Sequence, residues 1–531
     1  MAFVTPNDGD TILASHVSQL TGLLAGSSGK GQLVQLYQYE DATNYANVLG
    51  NRDTTNGRAV KIQYGDPSGS PVTLATFQKS AVRIQSNDGT DYLDISNSGV
   101  AIVGTLTVNG TTVGGGVRVY NVLDHEMVTG TTSTSAAANT SAFQTLLATA
   151  AAAGGGVIFF PRGTWPMNAT VWSHGLGSTS SISILGEAGA TAIQFWGTTG
   201  PFWSLGSSSS HALSRVRIQN VMFLHGDKPT SGATIKIGAN VANIIIDGIY
   251  MAETSSGYGP LTGIEALVGF TLSNSKIDTR TDTSTLTGAG LVPRVIHLTN
   301  TSAASNLDIS NCSLNGCATV SYGIDFFNSG DIDTVRLTNV LIKDNDRSIN
   351  KSGSPAGDIA NAFLTGVYLD VSQYGLYLEP NSGSAVYTWL CSGLWVAAAK
   401  QAIRGSTANS GTIDRIKVSN GYFTDAATAG NAAVELQANC DNCSLTDVYI
   451  GTSLNTGGDY GVDIGGASGA IEGFAMIGCT VVVGSSATNS VRISSACDPV
   501  VVTGNTFRGK DITFGGSTGT SRVNANNAYK A

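Results

Sequence analysis

The sequence predicts an all-β protein whose larger part is a parallel β-helix. Three observations point there: 66 glycines with only 12% charged residues, a repeat of about 27 residues, and a period-two hydrophobic alternation around each repeat. A chain poor in charge and rich in Gly, Ser, Thr and Asn suits many short strands joined by tight turns. The hydrophobic fraction of 41% is ample for a core.

From residue 216 onward the pattern is apolar, any residue, then Asn, Asp or Gly, and an apolar residue three further on, as in IQNVMF, LSNSKI, LTNVLI, VSNGYF and LTDVYI. The third residues are Asn220, Asp247, Asn274, Asn311, Asn339, Gly366, Gly393, Asn420, Asp447, Gly478 and Gly504. Their separations are 27, 27, 37, 28, 27, 27, 27, 27, 31 and 26 residues. A fixed period of this size signals stacked repeats. Asn, Asp and Gly tolerate a left-handed backbone, so each marks a corner between two strands. The alternation beside it has the period of strands, not of helices. Leucine-rich repeats would need a leucine-dominated helical return in each unit, which is missing. About eleven coils or more, each pairing with the next at about 4.8 Å, make a rod on the order of 50 Å long.

An open first coil exposes strand edges and core, and needs a cap. The stretch AFQTLLATAAAAGGGVIFFPRGTW supplies one. Ser141 and Gln144 have capping-box spacing, and Phe143, Leu146, Leu147 and Ala150 lie on one helical face. The spacing predicts a helix over 142–153, ended by Gly154-Gly155-Gly156, then a strand over Val157–Phe160. Those glycines interrupt the apolar run too early for a membrane span, which needs ~20 residues. The N-terminus MAFVTPNDGD is polar and acidic, unlike a secretory signal.

The block VRVYNVLDHEMVTGTTSTSAAANTSAFQTLLATAAAAGGGVIFFPRGTW, followed by ISILGEAGATAI, resembles the opening of the pectate-lyase-like β-helix superfamily. That superfamily begins with a strand, an acidic Gly-rich loop, a helix, GGG, a strand ending Phe-Pro-x-Gly and an Ile-x-Gly-Glu turn. Its Gly-Asp-Gly-x-Thr-Asp-Asp loop is reduced here to TGTTSTSAAANT. The resemblance covers 117–531 and implies a right-handed parallel β-helix. It is weak for chemistry, because the superfamily includes lyases, hydrolases, epimerases and non-catalytic members.

Residues 1–116 differ. One short helix is expected within 7–32, then strands separated by NRDTTNGR, YGDPSGSP and SNDGTDY, with TTVGGG as a linker. Pieces so short and polar build little core alone, so trimerisation or a small independent β-domain is expected. The region resembles the virion-attachment segment of bacteriophage tailspikes and tail fibres. That resemblance implies a homotrimer, contact with phage tail or baseplate proteins through 1–116, assembly in the host cytoplasm, residence in the virion and action at the host cell surface.

The formal charge of −9 offers no basic footprint for nucleic acid and suits anionic membranes poorly. Seven cysteines are too few for a disulfide framework. Cys440 and Cys443 have metal-ligand spacing but no second pair, and read as core fillers. Neither metal nor cofactor is expected.

A second column recurs as apolar, x, apolar, with x outward: Lys236, Glu265, His297, Asp325, Asn350, Tyr377, Arg404, Glu435, Asp463 and Arg492. Glu265, His297 and Asp325 sit in consecutive coils. Their carboxylates are two coils apart, close to the about 6.5–9.5 Å that inverting glycosidases use. A loop around 278–293 is expected as a wall beside them. Glu435 and Asp463, flanked by Arg404 and Arg492, form a second cluster. A ladder of compensating surface charge is the plainer account of both clusters, more so of the second, whose carboxylates stand between arginines. Two residues after each corner a third column carries Tyr368, Trp395, Tyr422 and Tyr449 in consecutive coils. Pointing outward, these rings suit sugar stacking or subunit packing; pointing inward, they are core.

These readings converge on a phage tailspike or tail-fibre subunit that recognises a host surface polysaccharide through its β-helix. Degradation of the glycan, by hydrolase chemistry ahead of lyase chemistry, stays open. The alternatives are a non-catalytic structural or receptor-binding fibre and a secreted polysaccharide lyase.

Overall fold

The computed structural model describes backbone alone for the strands between residues 35 and 113. Apart from single positions, it describes backbone and side chains for 118–168, 181–206, 213–252, 259–279, 292–299, 305–316, 321–353, 357–398, 400–406, 411–424, 431–437, 439–452, 460–465, 471–494, 496–515 and 522–530. The chain divides into two compact units, Met1–Asp124 and His125–Ala531.

The first unit is an antiparallel meander. Strands Gln35–Tyr39, Tyr45–Asp53, Gly57–Gly65, Val72–Gln78, Ala81–Gln85, Asp91–Ser96 and Gly99–Ile102 pair in sequence order. Their connections fall at the turn-rich segments expected from the sequence, with Asp53 opposite Gly57 across NRDTTNGR. The helix expected within 7–32 lies outside the described residues.

The second unit is a parallel β-solenoid with three stacks of strands. The first stack runs from Gly155–Phe160 to Arg522–Ala525. The second runs from Gly163–Met167 to Ala528–Lys530, and the third from Thr170–Val171 to Ile512–Phe514. Strands Leu341–Gly353 and Tyr368–Pro380 each continue from the second stack into the third.

A corner joins first to second stack, and its residue has positive φ in each coil of the repeat. Asn220, Asn274, Asn311, Asn339, Asn420 and Asp447 lie at φ 49–56°, and Gly366, Gly393, Gly478 and Gly504 at 61–68°. One corner differs from the sequence reading. Strand pairing sets Gln219 against Asp247 and Asp247 against Ser273, so the residue that turns is Gly248, at φ 63°. Asp247 instead ends the strand and accepts hydrogen bonds from Ser273 and Asn274. Asn526, at φ 54°, extends the row by one further corner. Corner amides join successive coils, Asn311 Nδ2 donating to Asn274 Oδ1 at 3.4 Å and Asn339 Nδ2 to Asn311 Oδ1 at 3.3 Å.

Two residues before the corner, Ile218, Ile246, Leu272, Ile309, Leu337 and Leu364 are buried. Three residues after it, Ile277, Leu314, Ile342, Leu369, Val396, Phe423 and Ile450 are buried as well. Each such side chain contributes roughly 1.5–3 kcal/mol by leaving water. In the inward row of the third stack, which includes Leu298, Phe326 and Leu378, the charged member is Lys351. Its Nζ donates to Asn328 Oδ1 at 2.9 Å, and burial lowers its pKa to about 8.

The capping helix spans Ala136–Ala152 and starts earlier than the capping box suggested. Ser141 and Gln144 therefore lie within it. The preceding alanines, the best helix formers, carry it backward. Asn139 anchors it, bonding both the N–H and the carbonyl of Val128 and the carbonyl of Pro166. Phe143 stacks on Trp203 at 5.5 Å and tilts against Phe160 at 5.6 Å, so the helix packs on core rings of the early coils. Among the described residues no helix is long and apolar enough to cross a membrane.

Candidate functional site

The polar column assembles in the third stack in the expected register. Lys236 pairs with Glu265, Glu265 with His297, His297 with Asp325 and Asp325 with Asn350 across successive strands. Its surroundings are more closed than an outward position suggests. Asp325 is 2% exposed. Arg294 Nε donates to its Oδ2 at 2.5 Å and Asn350 Nδ2 to its Oδ1 at 2.6 Å. Glu265 is more accessible and accepts from Lys236 Nζ at 2.7 Å. His297 Nε2 lies 3.6 Å from Asp325 Oδ2. Burial, aided by the Arg294 charge, lowers the His297 pKa to about 4, so the ring is neutral at pH 7. Much of the expected wall, residues 280–291, lies outside the described residues.

The second cluster is likewise paired. Arg492 grips Asp463 with two bonds, Nε to Oδ1 at 2.8 Å and Nη2 to Oδ2 at 2.5 Å. Glu435 accepts from Gln437 at 2.6 Å and also from Gln401. The sequence reading missed Glu379, which accepts from Tyr377 OH at 2.6 Å and from Arg404 Nε at 3.0 Å. It also missed Arg347, whose guanidinium sits 3.7 Å from the Tyr377 ring centroid. Alternate residues of one strand bring Tyr377 and Glu379 to the same face, a signal available from the period of two. Asp325, Glu379, Glu435 and Asp463 thus each accept at least one hydrogen bond from a side chain of an adjacent coil.

The aromatic column is open. Its neighbours three residues after the corner are core, so Tyr368, Trp395, Tyr422 and Tyr449 project outward. Strand pairing sets Tyr368 beside Trp395, Trp395 beside Tyr422 and Tyr422 beside Tyr449. Trp395 and Tyr422 are 43% and 45% exposed. Ring centroids follow one another at 4.2, 6.1 and 4.7 Å. Tyr422 and Tyr449 stack nearly parallel, at 14°, whereas Trp395 stands at 84° to Tyr368 and 73° to Tyr422. Corner glycines Gly366 and Gly393 leave the flank of Tyr368 and Trp395 without side chains. Asp370 and Thr424 follow Tyr368 and Tyr422 by two residues on the same strands, and Thr365 and Ser392 precede the corner glycines on the first stack.

An open groove of about 800 Å³ lies farther toward the N-terminus on the same edge, lined by Tyr250, Lys276, Ser313 and the corner residues Asn274, Asn311 and Asn339. Among the described residues no group of three or more His, Cys, Asp or Glu is placed to hold a metal. Cys440 and Cys443 are buried free thiols, and burial pushes the Cys443 pKa up to about 12.

Fold and site together define a parallel β-helix with an exposed aromatic ladder. No protein-family model matches the chain, and comparison with curated proteins finds no match. Among solved structures it is similar to the A-module of the Azotobacter vinelandii mannuronan C-5 epimerase AlgE6, at 14% identity over 77% of this chain and 98% of that one, TM-score 0.33. It is also similar to the Streptococcus pneumoniae surface protein and adhesin PfbA, at 12% identity over 78% of this chain and 100% of that one, TM-score 0.33. A third is ORF18 of Geobacillus virus E2, at 13% identity over 84% of this chain and 69% of that one, TM-score 0.28. Likeness at this level assigns no function to the chain.

Proposed function

We propose that this chain is a bacteriophage tailspike or tail-fibre subunit whose β-helix recognises a bacterial surface polysaccharide. The observation that carries this reading is the ladder Tyr368–Trp395–Tyr422–Tyr449. A contiguous patch of exposed aromatic surface marks an interaction site, and here Trp395 and Tyr422 stand exposed between the half-buried Tyr368 and Tyr449 in four consecutive coils. Ring faces take the C–H surface of a pyranose, while the hydroxyl and carboxylate groups of Thr365, Ser392, Thr424 and Asp370 suit its hydroxyls. Residues 1–116 supply the homotrimer contacts and the attachment to tail or baseplate proteins, a role that rests on their resemblance to such segments. The particle then acts at the host cell surface.

Recognition without cleavage is the form the geometry favours. General acid–base chemistry needs a carboxyl that can reach its substrate. Asp325 is enclosed by Arg294 and Asn350, and Asp463 by Arg492. Glu265 is the more accessible candidate, and among the described residues of the polar column the next carboxylate, Asp325, is enclosed. The test is to apply the purified protein to a microarray of bacterial capsular and O-antigen polysaccharides, then assay the bound glycans for released oligosaccharide. Binding without release is expected. Absence of binding to every glycan would overturn the proposal, and release would overturn its non-catalytic form.

A further inference from the structure

The exposed apolar surface does not stop at the ladder. Phe363 and Leu390, on the first stack, are 38% and 37% exposed and pair directly with each other. They occupy the same two coils as Tyr368 and Trp395. Between the two faces stand only Thr365 and Ser392, then the corner glycines Gly366 and Gly393. The same row of the first stack carries Arg336 in the coil before and Lys417 in the coil after. The corner row likewise carries Asn339 before and Asn420 after. The apolar belt on the first stack is therefore two coils wide, and it coincides with the two coils in which the corner loses its side chain.

We propose that the bound sugar chain crosses this corner, running from Trp395 over Gly366 and Gly393 to Phe363 and Leu390, rather than only along the rod. This rests on the carbohydrate-recognition reading above. Two coils span about 10 Å, enough to seat a pyranose ring with its substituents. Phe363 and Leu390 offer no hydrogen bonds, so the sugar they receive carries methyl groups, as a 6-deoxyhexose or an O-acetylated residue does. Thr365 and Ser392 meet its hydroxyls.

The corner provides its own test. Asn311, Asn339 and Asn420 hold φ of 52–53°, and Gly393 holds 64°. A Cβ built on Gly393 meets nothing closer than the Gly366 nitrogen at 3.7 Å. Gly393→Asn thus fits the backbone while placing an amide in the crossing. The best-bound polysaccharide of the microarray is titrated into the parent, Trp395→Ala, Leu390→Ser and Gly393→Asn, with light scattering on each.

All three variants are expected to bind at least about tenfold more weakly, with molar mass unchanged. If Trp395→Ala loses affinity while Leu390→Ser or Gly393→Asn keeps the parental value, the chain does not cross and the inference fails, with recognition by the ladder intact. Parental affinity in Trp395→Ala overturns the recognition reading and the crossing together. A smaller mass for Leu390→Ser would assign the belt to subunit packing and overturn the crossing. Mild alkali, which removes ester acetyls, separates the two sources of methyl: lost binding identifies acetyl and retained binding the deoxy sugar. A bound glycan with neither group contradicts the assignment of Phe363 and Leu390.

Discussion

Asp325→Ala should destabilise the β-helix far more than Glu265→Gln, although both positions belong to one polar column. The substitution leaves Arg294 Nε and Asn350 Nδ2 without the carboxylate they share. Removing one partner of a buried pair costs roughly 3–5 kcal/mol. The Arg294 side chain is 21% exposed and keeps its bond to the Val292 carbonyl at 3.0 Å, so water recovers part of its solvation. About 3 kcal/mol is the expected loss, at the lower end of that range. Glu265 pairs with Lys236 near the surface, where such bridges contribute about 0–1 kcal/mol. Urea unfolding at pH 7, followed by tryptophan emission, reads the difference. Trp389 is a suitable reporter, because its ring packs edge-on against Phe326, the neighbour of Asp325, at 6.5 Å. With a slope near the upper end for urea, the Asp325→Ala midpoint should fall by about 1 M. Equal midpoints for the two variants would refute the assignment of Asp325 as an enclosed structural acceptor.

The left-handed corners predict that Asn339→Ala costs about 1 kcal/mol more than Asn339→Gly, since a Cβ without a polar side chain is penalised at positive φ; urea midpoints decide it. His297 has a folded pKa of about 4 against 6.5, so the unfolded chain binds more protons between these values and stability falls as pH drops through that window. Arg294, Asp325, Glu265 and Lys236 face the ring, and His297→Gln should flatten the urea-midpoint slope between pH 6.5 and 5. Lys351, lowered to about 8 from 10.5, makes stability rise as pH climbs from 8 toward 10, a rise that Lys351→Met should abolish in the same assay. Light scattering should give three times the 54.5 kDa chain mass, and a monomer for residues 117–531 alone; a monomeric full-length chain would contradict the trimer.

The repeat was legible because the backbone demands it. A positive φ once per coil can be held cheaply only by Asn, Asp or Gly, and the flanking period of two assigns inside and outside. Where two such residues adjoin, as Asp247 and Gly248 do, spacing alone does not choose, and the strand register does. Asn526 escaped because it follows Gly504 by 22 residues, short of the usual period. The outward direction of Trp395 and its neighbours followed from the buried row beside them. The enclosure of Asp325 did not, because the groups that cover it, Arg294 and Asn350, come from adjacent coils. The shared face of Tyr377 and Glu379 was open to the period of two, whereas the bond from Arg404 to Glu379 joins adjacent coils and leaves no mark on local periodicity.

The most direct test of the central claim is calorimetric titration of the microarray-selected polysaccharide into the parent protein and a Trp395→Ala, Tyr422→Ala double variant. The double variant loses the three ring contacts along the ladder, so its urea midpoint falls somewhat while the transition stays cooperative and the protein is folded under the conditions of the titration. Hot-spot aromatics at a recognition surface contribute about 2 kcal/mol or more each, and their joint loss should weaken binding by at least about a hundredfold. An unchanged Kd in a correctly folded double variant would contradict recognition by the ladder.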